Sequence, residues 1–159
     1  MNRRKVMSTL GLGAAGLALA EGTALAGLQE PKHEHGHHHG HHEGHLKLMG
    51  ECAVACNETA AHCLEQICAK EGDLESHAKV HQMAMDCQAF CVLSATMMAR
   101  HSPLSKFAHE ANAEACRACA EACDAHKGDD PMVKHCGEMC RECEKACREA
   151  SRQGHDHKA

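Results

Sequence analysis

From Leu46 to about residue 152, apolar positions recur every three or four residues, the period of an amphipathic α-helix. Turn and cap residues divide the stretch into four. The first helix is predicted over about 47–70, ending near Gly72, and the second over about 74–100, stopping before Ser102-Pro103. The third starts at Pro103 or Ser105 and runs to about His126, with Gly128 just past its end. The fourth follows Asp129-Asp130-Pro131 and ends near Gln153-Gly154; Asp130 is a natural N-cap and Pro131 suits the first turn. Long helices with short connections predict an all-α fold, an antiparallel up-down-up-down four-helix bundle over residues 46–152. The tail, 153–159, is expected to be disordered.

The residues on the inward stripes are not those of an ordinary core. The chain has 13 Cys, no Trp, no Tyr and only two Phe, Phe90 and Phe107. Five Cys pairs stand at i,i+4: Cys52/Cys56, Cys87/Cys91, Cys119/Cys123, Cys136/Cys140 and Cys143/Cys147. Cys116 and Cys63 share phase with the pairs on their own helices. On a helical wheel each cluster falls within an arc of about 60°, so each is a single stripe, and the bundle is expected to have a cysteine-lined core. Cys68 alone is out of phase with its helix partners.

Folding the helices back about their turns brings independent stripes together. Helix 3 against helix 4 pairs Cys123 with Cys136, Cys119 with Cys140 and Cys116 with Cys143, and the next slot pairs Asn112 with Cys147. Helix 1 against helix 2 pairs Cys56 with Cys87 and Cys52 with Cys91. The expected layers are Cys52, Cys91, Cys116 and Cys143; then Cys56, Cys87, Cys119 and Cys140; then Cys63, Cys123 and Cys136 with Met83.

Upstream of the bundle the composition changes. Arg3-Arg4, a modest apolar run and Ala24-Leu25-Ala26 read as a signal peptide over 1–26, of the Tat type, placing the mature protein in the periplasm or elsewhere outside the cytoplasm. The apolar run is too short and too interrupted by Gly for a membrane anchor. Residues 27–45 carry eight His among Gly and Glu, a metal-binding composition expected to be disordered. Removing Arg3, Arg4, Lys5 and Glu21 takes 17 basic and 22 acidic side chains to 14 and 21, a net charge of −7. That sign argues against nucleic acid and anionic membrane as partners.

Thiols in stripes suit Cu(I). Cβ atoms at i,i+4 lie about 5–6 Å apart, and two metal–thiolate bonds of about 2.3 Å span nearly the same distance. Soft thiolates select Cu(I), Zn(II) or iron–sulfur clusters. Copper(I) accepts two or three thiolates, so stacked pairs can hold multiple ions per chain. Zinc has a pattern of its own here, C-x2-C at 116–119 and at 140–143, but it lacks turn residues and leaves nine thiols unused. Parallel Cβ vectors at i,i+4 fit disulfides poorly. A dithiol redox protein using either C-x2-C motif is a further alternative, as is a copper chaperone or a detoxifying, metallothionein-like sponge. No haem-attachment, zinc-protease, nucleophile-elbow or phosphate-loop motif is present, so an enzyme is not expected.

With C-x3-C repeated on all four helices, the chain resembles the copper storage proteins, and the resemblance covers about 46–152. It implies a bundle that binds many Cu(I) ions inside and holds them for copper enzymes or chaperones, an exported form, and a homo-oligomer, a tetramer. It also implies a His/Met-lined entrance at one end, here matched to Met83, Met132 and His77. His109 joins Met97 and Met98 at the opposite end.

Overall fold

The computed structural model describes residues 38–153, with side chains from 42 to 152. They form four helices: α1 (His38–Ala69), α2 (Leu74–Ala99), α3 (Ser105–Asp124) and α4 (Pro131–Gln153). α1 packs on α2 and α4, and α3 on the same two, closing a ring of four. The antiparallel sense is visible in the cross-helix contacts. Between α1 and α4, Cys56 meets Cys136 and His62 meets Asp130, so one number rises as the other falls. Between α2 and α3, Cys87 meets Cys116 and Cys91 meets Asn112.

The helix ends follow local chemistry. Asp73 caps α2, its Oδ1 accepting from the Ser76 amide at 2.8 Å. Asp130 Oδ1 accepts from the amides of Met132 and Val133 at 3.0 and 3.2 Å, the cap expected for α4. α1 ends earlier than Gly72: Lys70 turns left-handed at φ 58, and the Glu71 and Lys70 amides bond back to Gln66 and Ile67. This is a Schellman closure, and His101, at φ 52, closes α2 in the same way. Gly72, at φ 67, then turns the chain where an added Cβ would stand 2.9 Å from His77 Nε2.

One expectation needs correction, and others fall outside the described residues. Residues 38–45, expected to be disordered, are helical and belong to α1. Extending an existing helix needs no new nucleus, so a His-rich segment can follow in register; the His42 ring meets that of His101 at 5.1 Å. The signal segment, the first part of the His-rich segment and the end of the tail lie outside the described residues.

The core is small in side-chain volume. Its largest buried hydrophobic side chains are Met49, Val80 and Val133, among Ala and twelve Cys. Both Phe are exposed. Gly137 lets α4 approach α3, since a Cβ there would stand 3.1 Å from Cys123 Cβ.

Candidate metal centre

Every cysteine is a free thiol, and all but Cys68 are buried. They converge because each helix commits one stripe to the same axis. Three groups have sulfur atoms that all lie within 4.8 Å of one another: Cys52, Cys91, Cys116 and Cys143; Cys52, Cys56, Cys87 and Cys140; and Cys56, Cys119, Cys136 and Cys140. The first is the layer the sequence predicts. The second layer expected, Cys56, Cys87, Cys119 and Cys140, is divided between the other two. Helices in such a bundle cross at about 20°, so levels on opposite sides shear past each other. The tetrads therefore interlock: Cys52 joins the first to the second, and Cys56 with Cys140 joins the second to the third.

Closest sulfur–sulfur distances run from 3.5 Å for Cys87–Cys116 and 3.6 Å for Cys56–Cys140 to 4.0 Å for Cys119–Cys136. These are non-bonded contacts between helices, spaced so that a cation with bonds of about 2.3 Å fits between them. Protonation is shared within the cluster. Cys52 and Cys87 are held down, first through Cys116, and Cys136 first through Cys119. Cys91 is lowered to about 5, first by Cys116 and then by Cys143. Cys116 is held up, first through Cys143, and Cys140 and Cys56 first through Cys119. Some thiols thus keep protons so that neighbours can give theirs up. A bound cation removes that competition and makes all of them thiolates.

Cys63, Cys123 and Cys147 are buried but belong to no tetrad. Cys123 interacts with Cys119 and Cys136. Cys63 is pushed up to about 12, first by burial and then by the negative charge of Asp130. Asn112 closes the column beyond the first tetrad: its Oδ1 accepts from Cys91 at 3.3 Å, and its Nδ2 donates to Cys147 at 3.2 Å. This is the Asn112–Cys147 pairing expected from the turn.

Beyond Cys63 lies a second kind of cluster. His77, His126 and Asp130 bring ligand atoms within 4.8 Å of one another. His126 Nε2 stands 3.3 Å from His77 Nδ1, and His62 Nε2 lies 2.7 Å from Asp130 Oδ2. Burial, then the neighbouring His126, lowers the His77 pKa, which favours its neutral, metal-binding form. His62, His126 and Asp130 were missed from the sequence. The antiparallel register that pairs Cys56 with Cys136 also pairs His62 with Asp130 and would have found those two; it does not place His126.

The remaining candidates are placed as follows. His77 is buried in that end cluster, and Met83 is partly buried against the core. Met132 is 41% exposed, so it does not line the channel; a residue in the first turn, it points away while its carbonyl faces Thr59. Cys68 is exposed, apart from every tetrad, as its phase on α1 requires. His109 is buried at the opposite end.

Fold and site together define a four-helix bundle whose interior is a column of free thiols, a metal-carrying α-bundle by its chemistry. The chain belongs to the copper storage protein family, whose model matches residues 38–152. Solved relatives agree in fold. A Cu(I)-bound copper storage protein, BsCsp3, is 25% identical with a TM-score of 0.61, over 70% of this chain and 98% of that one. The copper storage protein Ccsp from Streptomyces lividans, loaded with 10 copper equivalents, is 27% identical with a TM-score of 0.64, over 78% and 93%. A cytosolic copper storage protein from the same organism, with five coppers, is 28% identical with a TM-score of 0.63, over 71% and 93%. No curated protein sequence matches the chain significantly.

Proposed function

We propose that this protein stores Cu(I), holding many ions per chain on the core thiolates and keeping them for copper enzymes. The observation that carries this reading is the set of three interlocking tetrads with sulfur atoms within 4.8 Å of one another. Soft ligands in a buried column favour a soft univalent ion, and sharing of Cys52, Cys56 and Cys140 favours clusters over isolated sites. The ligands are Cys52, Cys56, Cys87, Cys91, Cys116, Cys119, Cys136, Cys140 and Cys143, with Cys63, Cys123 and Cys147 extending the column. Copper enters through the end that carries His62, His77, His126 and Asp130, and Met83 passes it inward.

The chain acts by binding and release, without catalysing a reaction. It is exported through its Arg3-Arg4 signal and cleaved after Ala26, and it works as a homo-oligomer. Exposed Met85, Val92 and Leu93 on α2 support the last point, being apolar side chains left on a helix exterior. Cell fractionation and ultracentrifugation test location and assembly. The decisive experiment is anaerobic titration of the reduced protein with Cu(I) against a chelator. A capacity near the number of core thiols is expected, and saturation at one or two ions would overturn storage.

A further inference from the structure

The far end of the column, beyond the first tetrad, carries a group of residues that storage on the tetrads does not use. Cys147 is buried and belongs to no tetrad. Asn112 Nδ2 donates to its sulfur at 3.2 Å, and His109, one turn earlier on α3, interacts with the same thiol. His109 is only 4% exposed, yet its Nδ1 has no partner. Ser94, one turn beyond Cys91 on α2, is wholly buried, and its Oγ has none either. The register that sets Cys91 against Asn112 brings Ser94 level with His109.

These two are the buried polar side-chain atoms left without a partner among the described residues, and both fall on one level of the bundle. A buried polar group without a partner costs about 1–3 kcal/mol, and two on one level, beside a thiol, point to a ligand. The donors on offer are one thiolate and one imidazole nitrogen. Met49, buried one turn before Cys52 on α1, belongs to the same end.

We propose that Cys147 and His109 form a mixed thiolate–imidazole Cu(I) site at the closed end of the column, with Asn112 as the positioning residue for the Cys147 sulfur. This rests on the reading of the column as a Cu(I) store. Binding forms a Cu–S and a Cu–N bond and releases the Cys147 thiol proton; the oxidation state of copper does not change. Linear two-coordination satisfies Cu(I) and would leave Zn(II) short of its usual four ligands. With one thiolate in place of several, the site fills after the tetrads and empties before them.

The test uses the full-length reduced protein under anaerobic conditions, with Cu(I) as the probe. Imidazole nitrogen resonances are followed by NMR through the titration, and capacity is measured against a competing chelator for wild type, H109A, H109Q and C147A. The His109 ring nitrogens are expected to shift only over the last equivalents. Each variant should lose one equivalent or hold its last one at least 10-fold more weakly, and the H109A/C147A double variant should lose no more than either alone. His109 nitrogens that ignore copper up to saturation would overturn the site. So would H109A and H109Q retaining both the full wild-type capacity and the wild-type affinity for the last equivalent while C147A loses an equivalent, since His109 would then be packing only. Should the His109 variants fail to fold, the wild-type resonances still decide. A wild-type chain that saturates at one or two ions would instead sink storage itself.

Discussion

Cys140 lies 4.0 Å from Cys52, 3.6 Å from Cys56 and 3.8 Å from Cys87, and it also shares a tetrad with Cys119 and Cys136. Cys123 is also buried, though 6% exposed where Cys140 is 0%, and belongs to no tetrad. Replacing either with Ala removes one small buried group, at about 1 kcal/mol of metal-free stability. Their effects on copper should differ. C140A breaks two tetrads at once and is expected to lose at least twice the Cu(I) equivalents lost by C123A in the chelator titration; equal losses would mean that the thiols act independently. His77 supports a prediction about pH. Burial and His126 lower its folded pKa, so the unfolded chain takes up the proton first. The sign follows: stability held above about pH 6.5, the unfolded value, falls as pH drops toward the folded pKa. Protection against hydrogen exchange at the start of α2, taken relative to the intrinsic exchange rate at each pH, should therefore fall between pH 7.5 and 5.5, and a His77→Gln variant should flatten that dependence.

At the scale of elements, the two αL closures are the clearest test of local chemistry. Lys70 holds φ 58 with an L side chain, a conformation that costs about 1–2 kcal/mol, whereas Gly adopts it freely but loses more chain entropy on folding. Lys70→Gly is expected to raise metal-free stability by about 0.5–1 kcal/mol, read as a higher melting temperature. The four helices and their turns were legible because apolar period, Asp130-Pro131 and the Gly positions all point the same way. The thiol stripes were legible for the same reason, and so was the tetrad of Cys52, Cys91, Cys116 and Cys143, because antiparallel pairing fixes facing positions. What was not legible depends on angles between helices. The shear that divides the second expected layer, the outward turn of Met132, and the fold of the 125–130 loop that brings His126 beside His77 are set by tertiary packing. The start of α1 at His38 was hidden by composition: a low-complexity segment gives no period to read.

For the whole molecule, the core poses a question of stability. Apart from Met49, Val80 and Val133, its buried hydrophobic side chains are Ala and Cys, while Phe90 and Phe107 face outward. Burial at about 25 cal/mol per Å² of apolar surface gains little from such short side chains, and buried thiols without a cation must share their protons. A ligand bound only by the folded state stabilises it by RT ln(1 + [L]/Kd), about 2.7 kcal/mol for one site at 100-fold excess over Kd. In a bundle of this size about 1 kcal/mol moves the melting temperature by some 4 °C. Even one core ion should therefore raise it by about 10 °C, and a filled column by considerably more. Differential scanning calorimetry of the reduced protein, metal-free and after stepwise anaerobic Cu(I) loading, should show the melting temperature climbing with each equivalent, and a Cu(I) chelator should return it to the starting value. An unchanged melting temperature at full loading would mean that copper sits on the exterior, for example on the His-rich segment, and that the thiol column is not where the metal is kept.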